Sequence, residues 1–167
     1  MSAQHGYHLQ VRWTGAGESG TSSYTAYSRD HDVTLPGRPP LPGSADPAFR
    51  GDPTRYSPEE LFVASLAQCH MLWFLHLAAA AGVVVREYVD DASGSMRVES
   101  GGEGQFTDVT LRPRVTVDVV PDGARPDDAA LTALHRRAHD HCFLARSVNF
   151  PVHVEPAPPH VASRTTA

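Results

Sequence analysis

The chain has 167 residues, a net charge of −5 and 41% apolar residues. That length supports one domain with a core of its own. All 14 basic residues are arginine. Lysine Schiff bases and Walker-type phosphate lysines are therefore excluded, and with no basic tract, nucleic acid is not an expected partner. The N-terminus, Met-Ser-Ala-Gln-His-Gly-Tyr-His, has no apolar leader segment, so a cytoplasmic location is expected. Two cysteines in such a chain read as reduced, reactive thiols rather than a disulfide scaffold.

In chain order, residues 6–13 alternate loosely and read as a strand. Gly15, Gly17 and Gly20 mark a turn, residues 22–28 read as a second strand, and Val33-Thr34-Leu35 as a short third. Seven prolines between Pro36 and Pro58 predict a long ordered loop, a kind of segment that often carries function. Ser57 to Gly82 then reads as one long helix. Ser57 suits the N-cap, Pro58 the first turn, Glu60 completes a capping box, and Gly82 stands where a helix ends. The helix spans roughly 36 Å at 1.5 Å per residue. It is apolar on every face, which predicts that protein covers both sides. Leu61 to Ala81 is also long enough to cross a bilayer. Ser65, Gln68, His70 and His76 interrupt it, and no arginine cluster flanks it, so no membrane partner is expected.

After Gly82 the pattern changes to strands. Residues 83–89 and 94–98 read as two, Gly101 to Gly104 as a turn, and residues 106–119 as another strand, with Pro121-Asp122-Gly123 turning after it. Residues 127–146 read as a second helix, started by Asp127 or Asp128, with Leu131, Leu134, Ala138 and Cys142 on its apolar stripe. Residues 148–155 form a closing strand. The expected fold is α+β, a single domain over residues 1–155 with antiparallel sheet, and residues 156–167 form a flexible tail.

Each cysteine lies on the apolar stripe of a predicted helix. Around Cys69 the neighbours at helical spacing are Phe62, Ser65, Leu66, Leu72, Trp73 and His76. Free cysteine is often plain core filler. The functional reading rests on two features. The charged loop upstream carries Arg50, Arg55 and Glu59, and a guanidinium beside a thiol favours the thiolate. The two thiols, one on each helix, form a possible attacking and resolving pair. A zinc site fits less well. Cys69-His70 with His139, His141 and Cys142 matches no standard finger, and His139 and His141 point to different helix faces. His135 and His139, at i and i+4, lack carboxylate company. No metal and no cofactor are expected.

Ser57-Pro58-Glu59-Glu60-Leu61, then Ala67-Gln68-Cys69, then Ala138-His139-Asp140-His141-Cys142 running into a strand, resembles the OsmC/Ohr family of osmotically inducible and organic-hydroperoxide-resistance proteins. The family motif is an Asn-Pro-Glu-x-Leu start with a cysteine ten residues after its glutamate, and Glu59 and Cys69 keep that spacing. The resemblance runs from about Tyr24 to Glu155. It implies a long central helix and a second helix wrapped by sheet, an interwoven homodimer and a two-cysteine peroxidase. Cys69 would attack the peroxide and Cys142 would resolve the sulfenic acid. An external dithiol of lipoyl or thioredoxin-like type would reduce the disulfide. An arginine held by Glu59 would stabilise the thiolate. Arg50 is the first candidate from its position about ten residues before Glu59, with Arg29 and Arg55 as alternates.

Phe62, Trp73, His70 and Phe143 are expected to line a substrate pocket favouring a bulky apolar hydroperoxide. The chain departs from the family pattern at His70, where many members carry phenylalanine, and at Gln68, where a small residue is usual. Glu59 and Cys69 lie about 15 Å apart along one straight helix, so a composite site with Glu59 from a second copy is expected. The rival reading is a non-catalytic OsmC-like dimer that senses redox state or binds a small molecule.

Overall fold

The computed structural model describes residues 4–118 and 127–161. The turn predicted at Pro121-Asp122-Gly123 and the last residues of the tail, 162–167, lie outside them. The chain divides into two compact units, one up to Phe62 and one from Val63 onward.

The first unit is built on a three-stranded antiparallel sheet of β1 (Gln10–Trp13), β2 (His31–Thr34) and β3 (Leu41–Gly43), in that order. Residues 22–28 are not a strand. Ser28 N–H bonds back to Gly15 O at 3.0 Å, and the segment between folds into turns. Ser28 lies so close that a Cβ on Gly15 would sit 2.1 Å from its carbonyl oxygen, so glycine is required there. The proline-rich segment is ordered, as expected, but it contributes β3 and a short 3-10 helix, Pro47–Phe49. Polar contacts hold it. The buried Ser44 hydroxyl donates to Asp30 Oδ1 and accepts from Asp52 N–H, both at 3.0 Å.

Helix α1 runs unbroken from Pro58 to Ala80. Its start is the predicted capping box. Ser57 N–H donates to Glu60 Oε2 at 2.8 Å, and Glu60 N–H to Ser57 Oγ at 3.2 Å. At its end Gly82 takes φ +73°, and Val83 N–H reaches back to Ala78 O at 2.9 Å, satisfying a carbonyl the helix leaves open.

The second unit carries two three-stranded sheets. One joins β4 (Val85–Asp90), β7 (Pro113–Val117) and β9 (His160–Val161). The other joins β5 (Ser93–Val98), β6 (Gly104–Leu111) and β8 (Val152–Val154). The pairs β4–β7 and β5–β6 are antiparallel, whereas β8 and β9 add in parallel. The single strand expected over 106–119 divides at Arg112. Pro113 has no N–H to offer a ladder, and Arg112 N–H donates to Asp90 Oδ1 at 2.7 Å. That carboxyl group occupies the corner where the chain passes between sheets. Residues 156–161, expected in the flexible tail, lie against β7. Ala157 N–H donates to Pro113 O, and His160 pairs with Thr116.

Helix α2 (Asp128–His141) is capped by Asp127, whose Oδ1 accepts Ala130 N–H at 2.6 Å. It stops five residues short of the predicted end. Cys142 turns out of the helix with φ −64° and ψ 109°, and a 3-10 turn, Ala145–Ser147, follows.

The core joins Phe74, Leu77 and Ala78 of α1 to Val115 and Val117 of β7 and to Leu131, Leu134 and Ala138 of α2. Among the described residues of one chain, α1 is fully buried along a single stripe. Leu66, His70, Phe74, Leu77 and Ala78 are buried, whereas Leu72 is 61% exposed. By length and composition α1 is apolar enough to cross a membrane, but here its apolar stripe packs into a protein core.

Candidate active site

The tertiary fold brings the two cysteines together. Cys69 projects from the middle of α1 and Cys142 stands just past the end of α2. Both are free thiols, and they are near enough for Cys69 to raise the pKa of Cys142. Their surroundings differ. Cys69 is half-buried, whereas Cys142 is 1% exposed. Burial pushes the Cys142 thiol up to about 11, and the hydrogen bond and charge of Cys69 push the same way. At neutral pH Cys142 thus keeps its proton. Ala145 N–H points at Cys142 Sγ from 3.5 Å. The accessible sulfur is Cys69, and the sheltered one is Cys142.

Of the expected pocket residues, Trp73 lies one turn beyond Cys69 and is partly buried. Its ring meets His76 edge-on (5.7 Å between centroids), His141 at a tilt (5.0 Å) and Phe143 edge-on (5.4 Å). Phe143 is largely exposed. Phe62 is half-buried near the start of α1. His70 does not face an open pocket. It is completely buried, and its Nε2 lies 3.1 Å from His135 Nδ1. A rotation of about 100° about the helix axis separates it from Cys69, which aims it into the core. The His70 and His135 rings are near-parallel, 6° apart, and Phe74 stacks on His135 at 4.1 Å. Burial holds both imidazoles neutral. It lowers His70 to about 4, with the His139 charge adding to the effect, and His135 to about 3, with His70 adding. His135 pairs with His70, 65 residues away, so nothing local in the sequence marks the pair. Among the described residues no group of three or more His, Cys, Asp or Glu could hold a metal ion.

The first unit carries a cavity of about 410 Å³ lined by Trp13, Tyr27, Arg29, His31, Phe49 and Glu59 among others. The Arg29 guanidinium lies over the rings of Tyr24 and Tyr27, 4.4 and 4.2 Å from their centroids. It donates to the carbonyls of the same two residues. The sequence reading missed this cradle, although the tyrosines two and five positions before Arg29 were its signal. Glu59 Oε2 is buried with no hydrogen-bond partner among the described residues, and no arginine pairs with it there. Arg50, in the left-handed conformation at φ 67°, is exposed and does not line the cavity. Arg55 is held among Asp30, Asp32 and Asp52 at 3.8–3.9 Å.

The OsmC-like protein family model matches residues 51–157, and the chain belongs to this family. An OsmC-like protein of unknown function from Vibrio cholerae is 33% identical, with a TM-score of 0.82 over 92% of this chain and 100% of its own. An organic hydroperoxide resistance protein from Legionella pneumophila shares the fold at 18% identity, with a TM-score of 0.64 over 97% of this chain and 100% of that one. The organic hydroperoxide resistance protein of Bacillus subtilis does so at 20%, with a TM-score of 0.57 over 90% and 98%. No curated protein matches.

Proposed function

We propose that the protein is a thiol-dependent peroxidase that reduces organic hydroperoxides by a two-cysteine mechanism. The observation that carries this reading is a half-buried Cys69 on α1 beside a buried Cys142 at the end of α2, both free thiols. Cys69 thiolate attacks the terminal peroxide oxygen, the O–O bond breaks, and the alkoxide leaves and takes a proton. The resulting sulfenic acid condenses with Cys142, forming the S–S bond and releasing water, with the Cys142 proton going to the departing hydroxide. An external dithiol of lipoyl or thioredoxin-like type restores both thiols by exchange. No metal or cofactor takes part. The names of the Legionella and Bacillus relatives support the substrate class, as do the aromatic side chains of the cavity in the first unit.

Arg29, rather than Arg50, is the arginine of this chemistry, because it shares a cavity with Glu59 and has its guanidinium set by two tyrosines. A guanidinium beside the reacting sulfur stabilises both thiolate and departing oxygen. The working form is a homodimer in which Arg29 and Glu59 of one copy serve the thiols of the other. Support comes from the uncovered face of α1 around Leu72 and from the unpartnered Glu59 carboxylate.

Thiol counting tests the reaction. One equivalent of cumene hydroperoxide should remove two free thiols per chain, and a dithiol should restore them. Cys69→Ser should abolish the loss, and Cys142→Ser should stop at a sulfenic acid that dimedone traps. A wild-type chain that keeps both thiols through this treatment is not a peroxidase.

A further inference from the structure

Cys142 lies where a helix gives no support. It is the first residue past α2, its backbone is extended, and terminal residues of a helix lack the full set of intrahelical bonds. Yet it is almost wholly buried, near enough to Cys69 for Cys69 to raise its pKa. What holds it is visible one turn along α1. Trp73, four residues after Cys69 and so on the same helix face, packs against His141 and Phe143, the two residues that flank Cys142 in the chain. His76, on the next turn of α1, also meets the indole edge-on, 5.7 Å between centroids. Phe143 is 66% exposed, so its packing on Trp73 is not a by-product of core burial.

We propose that Trp73 is a positioning residue for disulfide closure. It grips the chain on both sides of Cys142 and thereby keeps the resolving sulfur within reach of Cys69. The proposal rests on the two-cysteine reading given above, and it gives Trp73 and Phe143 a role other than contact with substrate. The step it governs is the condensation of Cys69 sulfenic acid with the Cys142 thiol, which forms the S–S bond and expels water. When the grip is lost, the sulfenic acid lives longer and a second peroxide carries it to sulfinic acid.

The test uses Trp73→Leu, Trp73→Phe and the surface variant Phe143→Ala in the full chain. Two aromatic contacts of ordinary strength correspond to roughly a tenfold change in the closure step. Trp73→Leu should therefore form the disulfide about tenfold more slowly, and Phe143→Ala, which loses one of the two contacts, about threefold, each losing activity to sulfinic acid at lower peroxide with the rate of the first oxidation of Cys69 unchanged. Trp73→Phe, which keeps a ring, should recover most of the wild-type rate. A merely structural tryptophan would lower the melting temperature without dividing the two steps. A substrate-contacting one would slow the first oxidation. Either result, or wild-type closure in Phe143→Ala, overturns the proposal. Equilibration of the Cys69–Cys142 disulfide with dithiothreitol reads the same grip without peroxide. There the two variants should be reduced more readily than wild type. This arm separates failure of the grip from failure of the peroxidase reading, since a wild-type chain inert to peroxide can still show the difference.

Discussion

Acid should weaken this fold through His70 and His135. Both side chains are buried and neutral, lowered to about 4 and about 3. In the unfolded chain each charges near its ordinary value of about 6.5. Between those limits the unfolded state binds more protons, so stability rises with pH across the window and falls as the solution is acidified. The contribution is complete above about pH 6.5, erodes below it, and levels off only beneath the folded-state values. From pH 7 to pH 5 each histidine costs about 1.9 kcal/mol, and the pair about 4 kcal/mol. That is a large share of the 5–15 kcal/mol by which domains of ordinary size are stable. Urea unfolding at pH 7 and pH 5, at one protein concentration and with both thiols reduced, measures the loss. The control is the double variant His70→Leu with His135→Leu. Replacing both partners of a buried hydrogen bond by apolar groups is nearly neutral, whereas removing one strands the other at a cost of about 1–3 kcal/mol. The double variant should keep its pH 7 stability at pH 5 to within about 1 kcal/mol of what the remaining groups dictate. If wild type and double variant lose the same amount, the histidine pair does not carry the acid response.

Two further outcomes are expected. Arg29→Leu should lower peroxidase turnover by about 100-fold, the cost of one preorganised stabilising group. Its two thiols should still titrate with a small disulfide reagent, and Arg50→Leu should stay near wild type. Equal losses in both variants would remove the assignment to Arg29. Leu72→Glu, on the uncovered face of α1, should leave a monomer by sedimentation where wild type forms the proposed dimer, and should abolish turnover. A monomer with full activity would refute a site shared between copies.

Much of the fold was legible because its signals are local. The ends of α1 follow from Ser57, Glu60 and Gly82, whose contacts close within five residues. The start of α2 follows in the same way from Asp127. The spacing of Glu59 and Cys69 on one helix, and the presence of a thiol near the end of a second, mark the family in the sequence itself. The rest depended on groups far apart in the chain. Residues 22–28 have strand-like composition, but the return of Ser28 to Gly15 and the stacking of Tyr24 and Tyr27 on Arg29 turn them into a cradle. The pattern over 106–119 gives no warning that Asp90 will take the Arg112 N–H and divide the strand. Cys142 fits the apolar stripe of α2 by spacing alone, yet the helix ends before it and contacts with α1 hold it there. His70 read as a polar intrusion beside Cys69, and only the packing of α2 against α1 supplies His135 as its partner. The sequence by itself determined the helices, their caps and the presence of two thiols, because those depend on neighbours within a turn. The tertiary structure alone decided which sulfur is sheltered, which arginine shares a cavity with Glu59, and which histidines meet, because burial and pairing are properties of residues that the chain brings together from a distance.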